Sequence, residues 1–104
     1  MSSLDDALSH RCVLLPPVVL SEILSDPKLS GSAAKTFLRI PLLTLKLGYW
    51  ERAGKSRSKL LAKGLSARLA DTLIAQACID SEIPLLSRDQ DFRHFEKYCG
   101  LSLA

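Results

Sequence analysis

Ala70-Asp71-Thr72-Leu73-Ile74-Ala75-Gln76-Ala77-Cys78, and after it Ile83-Pro84-Leu85-Leu86-Ser87-Arg88-Asp89-Gln90-Asp91-Phe92, is the stretch on which the reading of the fold turns. Ala70, Leu73, Ile74, Ala77 and Cys78 recur at i, i+3, i+4, i+7 and i+8, which predicts one buried face of an α-helix. Asp71 stands near its start, where the helix dipole favours negative charge. Ile83 to Ser87 then predicts a short apolar strand, and Asp91 to Tyr98 a helix with Phe92 and Phe95 turned inward. Asp89 directly follows the strand. In parallel α/β sheets, function gathers at the carboxyl ends of strands.

Working outward, Tyr49 to Lys63 carries Trp50, Ala53, Leu60 and Leu61 at helical spacing, with Trp50 expected in the core and Gly64 as a C-terminal stop. Ile40 to Leu45 predicts a strand with Pro41 near its start, and Ser32 to Arg39 a short helix. Cys12 to Leu15 is a further short apolar run, ended by Pro16-Pro17. Pro17 fits the first turn of a helix over Val18 to Ser25, which Asp26-Pro27 terminates. Ser3-Leu4-Asp5-Asp6 has capping-box spacing and predicts a helix over 3 to 10. Leu101 to Leu103 adds a possible final strand. Short apolar strands alternating with helices predict an α/β architecture, a mostly parallel sheet with helices on both faces.

A chain of 104 residues has room for one domain with one core. The balance of 47% hydrophobic and 24% charged residues argues against disorder and fibrous repeats. The net charge of +3 is too small to identify a nucleic-acid binder by itself, so its distribution matters more. Lys55, Arg57, Lys59, Lys63 and Arg68 fall close together and could follow a phosphate backbone or form a solvated helix face. Cys12, Cys78 and Cys99 are odd in number and widely spaced, with no disulfide or zinc signature, which makes the cytoplasm the expected compartment. No apolar run approaches the roughly 20 residues that span a bilayer, so no membrane association is expected.

Glu22, Asp71 and Asp89 each fall where a parallel sheet would bring them toward one site, with Asp91 at its edge. Clustered carboxylates repel one another unless a divalent cation neutralises them, and hard oxygen donors suit magnesium or manganese. Taken singly, each acid also fits a capping, dipole or solvent-facing role. His94 invites an acid/base role but has no partner visible in the sequence.

The pair Ala70-Asp71-Thr72-Leu73-Ile74-Ala75 and Pro84-Leu85-Leu86-Ser87-Arg88-Asp89-Gln90-Asp91-Phe92 resembles the C-terminal signature of PIN domains, and of the VapC toxin ribonucleases among them. The family signature is an Asp-x-Leu-Ile-Ala helix ahead of a Leu-x-Thr/Ser-x-Asp-x-Asp-Phe turn. Leu15-Pro16-Pro17-Val18-Val19-Leu20-Ser21-Glu22-Ile23-Leu24 is similar to the segment bearing the family's second acidic residue. The resemblance implies a PIN-like three-layer fold over residues 1–104 and a metal site of Glu22, Asp71, Asp89 and Asp91 holding Mg2+ or Mn2+. It further implies RNA contacts from Lys55, Lys59, Lys63, Arg68 and Arg88.

The departure lies at the N-terminus. PIN domains resemble one another in opening on an apolar strand that ends in an aspartate, followed by a helix, and neither element is present in these 104 residues; Asp5 and Asp6 fit a helix cap instead. The chain is therefore expected to be an N-terminally truncated PIN-like domain. As a toxin–antitoxin endoribonuclease it would be weak or inactive in this form; the alternative is a non-catalytic remnant that binds RNA or protein. The resemblance also implies a cognate antitoxin protein and a homodimer, for which Val18, Val19, Leu38 and Leu42 are the expected exposed apolar positions.

Overall fold

The protein's computed structural model describes residues 15–85, 87 and 90–104. The expected helix over 3 to 10, Cys12 to Leu14, Leu86, Arg88 and Asp89 lie outside the described residues. Five α-helices are present among the described residues: α1 (Pro17–Leu24), α2 (Gly31–Leu38), α3 (Tyr49–Ala62), α4 (Leu69–Asp80) and α5 (Arg93–Cys99). A 3-10 turn, Gln90–Phe92, leads into α5. The chain forms two compact units, one ending at Thr44 and the other running Leu45–Ala104.

The sheet expected from the sequence is corrected: no strand forms among the described residues, and the expected PIN-like three-layer α/β arrangement gives way to helices with two isolated parallel bridges. Leu15 pairs with Leu42, through Leu15 N–H to the Pro41 carbonyl and Leu43 N–H to the Leu15 carbonyl, both 2.9 Å. Continuing that ladder requires a donor two residues on, and Pro17 has no N–H. Leu85 pairs with Leu103, through Leu85 N–H to Ser102 and Ala104 N–H to Leu85. Just before that bridge the chain is turned by the end of α4, where Ile83 N–H bonds the Cys78 carbonyl. Among the described residues each pairing is an isolated bridge in place of the expected strands.

In the first unit, Pro17 begins α1 as expected, because its missing N–H is one the first turn leaves unbonded anyway. The Ser30 hydroxyl accepts from Ala33 N–H and caps α2. Leu15, Ile40 and Leu43 are buried, whereas Leu24, Leu38 and Leu42 are exposed.

The second unit is built on α3 and α4, with α5 packed against both. Leu60, Ala75, Ala77, Cys78, Phe92, Phe95 and Leu101 form its core. Burial raises the Cys78 thiol pKa to about 11, so this cysteine is a small core side chain. α3 and α4 end alike. Leu65 N–H bonds the Leu60 carbonyl and Gly64 N–H the Leu61 carbonyl, and Ile83 and Glu82 repeat the pattern on Cys78 and Ile79. The pivotal residue is left-handed in both, Gly64 at φ 75° and Glu82 at φ 54°.

Candidate functional site

Alanine, serine and glutamine on the facing sides of α3 and α4 allow close approach, and the polar groups among them must then find partners inside the interface. They do so as one chain. Ser56 Oγ donates to Gln76 Oε1 at 2.6 Å, and Gln76 Nε2 donates to Asp80 Oδ1 at 2.8 Å. Arg52 closes on Asp80 through Nε at 2.9 Å and Nη2 at 2.6 Å, and its Nη1 reaches the Leu47 carbonyl at 2.8 Å. Gln76 is only 3% exposed. Hydrogen bonds from Arg52, opposed by burial and reinforced by Gln76, hold the Asp80 carboxyl below its ordinary value.

As the α3 partner advances from Arg52 to Ser56 to Arg57, its α4-side partner retreats from Asp80 to Gln76 to Ala67, so the two helices run antiparallel. The C-terminal end of α3 therefore lies at the same end of the pair as the N-terminal turn of α4. That turn carries Asp71, half-buried. Its neighbour Thr72 is fully buried, and the Thr72 hydroxyl donates to the Arg68 carbonyl at 2.8 Å, tying the first turn to the residue before it.

Asp91 is exposed in the 3-10 turn, which packs on α4. Phe92 and Phe95 hold that turn down, with ring centroids 6.3 Å apart, and both are buried as the sequence predicted. Ser87 is half-buried, and Asp89 and Arg88 lie outside the described residues. Glu22 is exposed on α1 in the first unit, whereas Asp71 and Asp91 belong to the second. In donor chemistry the carboxylate set suits magnesium or manganese. In assembly, no three His, Cys, Asp or Glu side chains are grouped to hold a metal ion among the described residues.

Of the expected RNA-contacting residues, Lys55, Lys59, Lys63 and Arg68 are all exposed. Lys59 Nζ donates to the Tyr98 carbonyl at 2.7 Å, and Lys63 Nζ lies 4.8 Å from the Tyr98 ring centroid. Lys97 Nζ stands 5.3 Å from that same centroid. Lys97 was not among the sequence candidates; the one signal that could have found it is the run of cations at the C-terminal ends of two neighbouring helices. Helical spacing puts Arg52 near Ser56 on α3 and Gln76 near Asp80 on α4, but nothing in the sequence pairs the two helices through them.

Trp50 is corrected. It is 63% exposed, and Tyr49 takes the core position, with its hydroxyl donating to the Leu73 carbonyl at 2.6 Å. Successive helical residues differ by about 100° in direction, so only one of the two can face α4. Leu61, expected on the same stripe, is also exposed.

The sequence matches no family model and no curated protein. The fold is similar to that of a solved chain of VapBC-5, a member of the VapBC family of toxin–antitoxin systems from Mycobacterium tuberculosis. The two superpose with a TM-score of 0.66 at 18% sequence identity, over 88% of this chain and 79% of that one. No helix among the described residues is long and apolar enough to cross a membrane.

Proposed function

We propose that this chain is a metal-dependent endoribonuclease of a toxin–antitoxin pair, with Asp71, Asp89 and Asp91 as its acidic residues. The observation that carries the reading is the packing of the Asp91-bearing turn onto α4, the helix whose first turn bears Asp71. These are the two halves of the signature that resembles PIN domains, and they adjoin in space. The likeness of the fold to a VapBC-5 chain supports the toxin–antitoxin context and an antitoxin protein as partner.

The carboxylates of Asp71, Asp89 and Asp91 would hold magnesium or manganese, which in such sites supplies an activated water and offsets negative charge on a phosphoryl group. The chain's own residues do the positioning. Thr72, buried and bonded to the Arg68 carbonyl, fixes the turn from which Asp71 projects, and the Phe92–Phe95 contact fixes the turn from which Asp91 projects. Exposed lysines on α3 supply the attraction for the RNA backbone.

The test incubates the purified chain and its Asp71→Asn and Asp89→Asn variants with single-stranded RNA in magnesium, in manganese and in chelator. Cleavage that needs the metal and is abolished by either substitution is the expected result. Cleavage indifferent to chelator, or to both substitutions, refutes the reading. RNA binding without cleavage in any metal leaves the chain as a non-catalytic binding module.

A further inference from the structure

Around Tyr98 the C-terminal ends of α3 and α5 bring three ammonium groups together. Lys59 Nζ is on the Tyr98 carbonyl at 2.7 Å, while Lys63 and Lys97 stand 4.8 Å and 5.3 Å from the ring centroid. The attraction of helix C-termini for cations explains a lysine on each helix. It does not explain why lysines from two helices converge on one residue, since like charges so placed repel. Lys55, Lys59 and Lys63 are also spaced i, i+4, i+8 along one face of α3, where same-sign neighbours weaken the helix.

We propose that Lys59, Lys63 and Lys97, arranged by Tyr98, form a phosphate-binding subsite that seats an RNA strand beside the Asp71 end of α4. The antiparallel course of α3 and α4 puts Lys63 and Asp71 at one end of the pair, so a strand held on the lysines is delivered next to the carboxylate. Lysine ammonium groups already occupy the surroundings of the Tyr98 ring, so the recognition is of phosphate and not base stacking. This inference rests on the ribonuclease reading for its choice of RNA, and it is tested by binding alone.

The experiment measures fluorescence anisotropy of a labelled single-stranded RNA with the full chain in chelator, over a range of salt. Lys59→Ala/Lys63→Ala/Lys97→Ala is expected to weaken binding about tenfold or more at low salt, and to reduce the slope of log affinity against log salt by about 2, near 0.7 per lost phosphate contact. The triple arginine variant at the same positions keeps the charge and should retain binding. So should Tyr98→Phe, which keeps the ring. Lys28→Ala/Lys35→Ala/Arg39→Ala, with the same loss of charge in the first unit, should leave the slope unchanged. Thermal melts check that each variant is folded.

Equal weakening by the first-unit variant means diffuse attraction and overturns the subsite. So does poly-glutamate binding as tight as RNA, or a wild-type chain that binds no RNA. Metal-dependent cleavage together with an unchanged triple-alanine affinity overturns the subsite and leaves the ribonuclease reading standing. The lysine effect on binding without any metal-dependent cleavage does the reverse.

Discussion

Gln76 illustrates what a single buried amide can hold in place. Its oxygen and nitrogen are both used, by Ser56 and Asp80, and leaving such partners unsatisfied in a buried interface costs about 1 to 3 kcal/mol. Gln76→Leu, similar in size but unable to bond either group, is therefore expected to lower unfolding free energy by about that amount in denaturant titrations. Asp80 adds a pH signature. Its folded-state pKa is lowered, so its contribution is present above the ordinary carboxylate value and is lost as pH falls through the folded value. The stability difference between the chain and its Asp80→Asn variant should hold constant above about pH 5 and shrink through pH 4 and below. A difference that grows on acidification would show that Arg52 does not act on Asp80 in this way.

At the scale of elements, the ends of α3 and α4 set a like-for-like comparison. The same two carbonyls are capped in each, but Gly64 takes the left-handed position freely while Glu82 takes it with a side chain. Non-glycine residues are disfavoured there, so Glu82→Gly should raise stability by about 0.5 to 1 kcal/mol despite the greater freedom of glycine in the unfolded chain. Thermal melts would show a higher midpoint. An unchanged or lower one would mean that the exposed Glu82 side chain contributes more than the strain costs. The strand candidates belong to this scale too. Their apolar runs are where the sequence reading put them, and Leu15, Leu42, Leu85 and Leu103 each make a parallel pairing. On its described side the Leu15 bridge meets Pro17, which has no N–H to continue the ladder, and the Leu85 bridge follows directly on the chain reversal that ends α4.

For the whole molecule, exposed apolar side chains are the feature that asks for a partner. Leu38 and Leu42 are 59% and 46% exposed as expected, whereas Val18 and Val19 are half-buried against that expectation. Leu47, Trp50 and Leu69 add to the apolar surface of the second unit. Exposed apolar area is commonly covered by association, and self-association is the expected outcome in light scattering as concentration rises. Leu38→Lys with Leu42→Lys should shift the chain toward monomer without lowering its melting temperature. A monomer at every concentration would refute the expectation.

The described helices and the ends marked by Pro17 and Gly64 were legible in the sequence alone, because those features depend on neighbours within one turn. Periodicity marked Ile74, Ala77 and Cys78 as buried, Pro17 marked a helix start, and Gly64 a helix end. Phe92 and Phe95 were legible for the same reason, as two apolar residues one turn apart. Only the tertiary structure decided which of Tyr49 and Trp50 faces α4, since both are aromatic and adjacent and the choice depends on the Leu73 carbonyl, twenty-four residues away. Only it could bring Lys97 to Lys63, or bind Arg52 to Asp80, because each pairing crosses between helices whose antiparallel register no local pattern specifies. The absence of a sheet among the described residues was beyond the sequence reading for a related reason. A strand is completed by hydrogen bonds to a distant segment, and whether those donors are free depends on what the rest of the fold has already done with them.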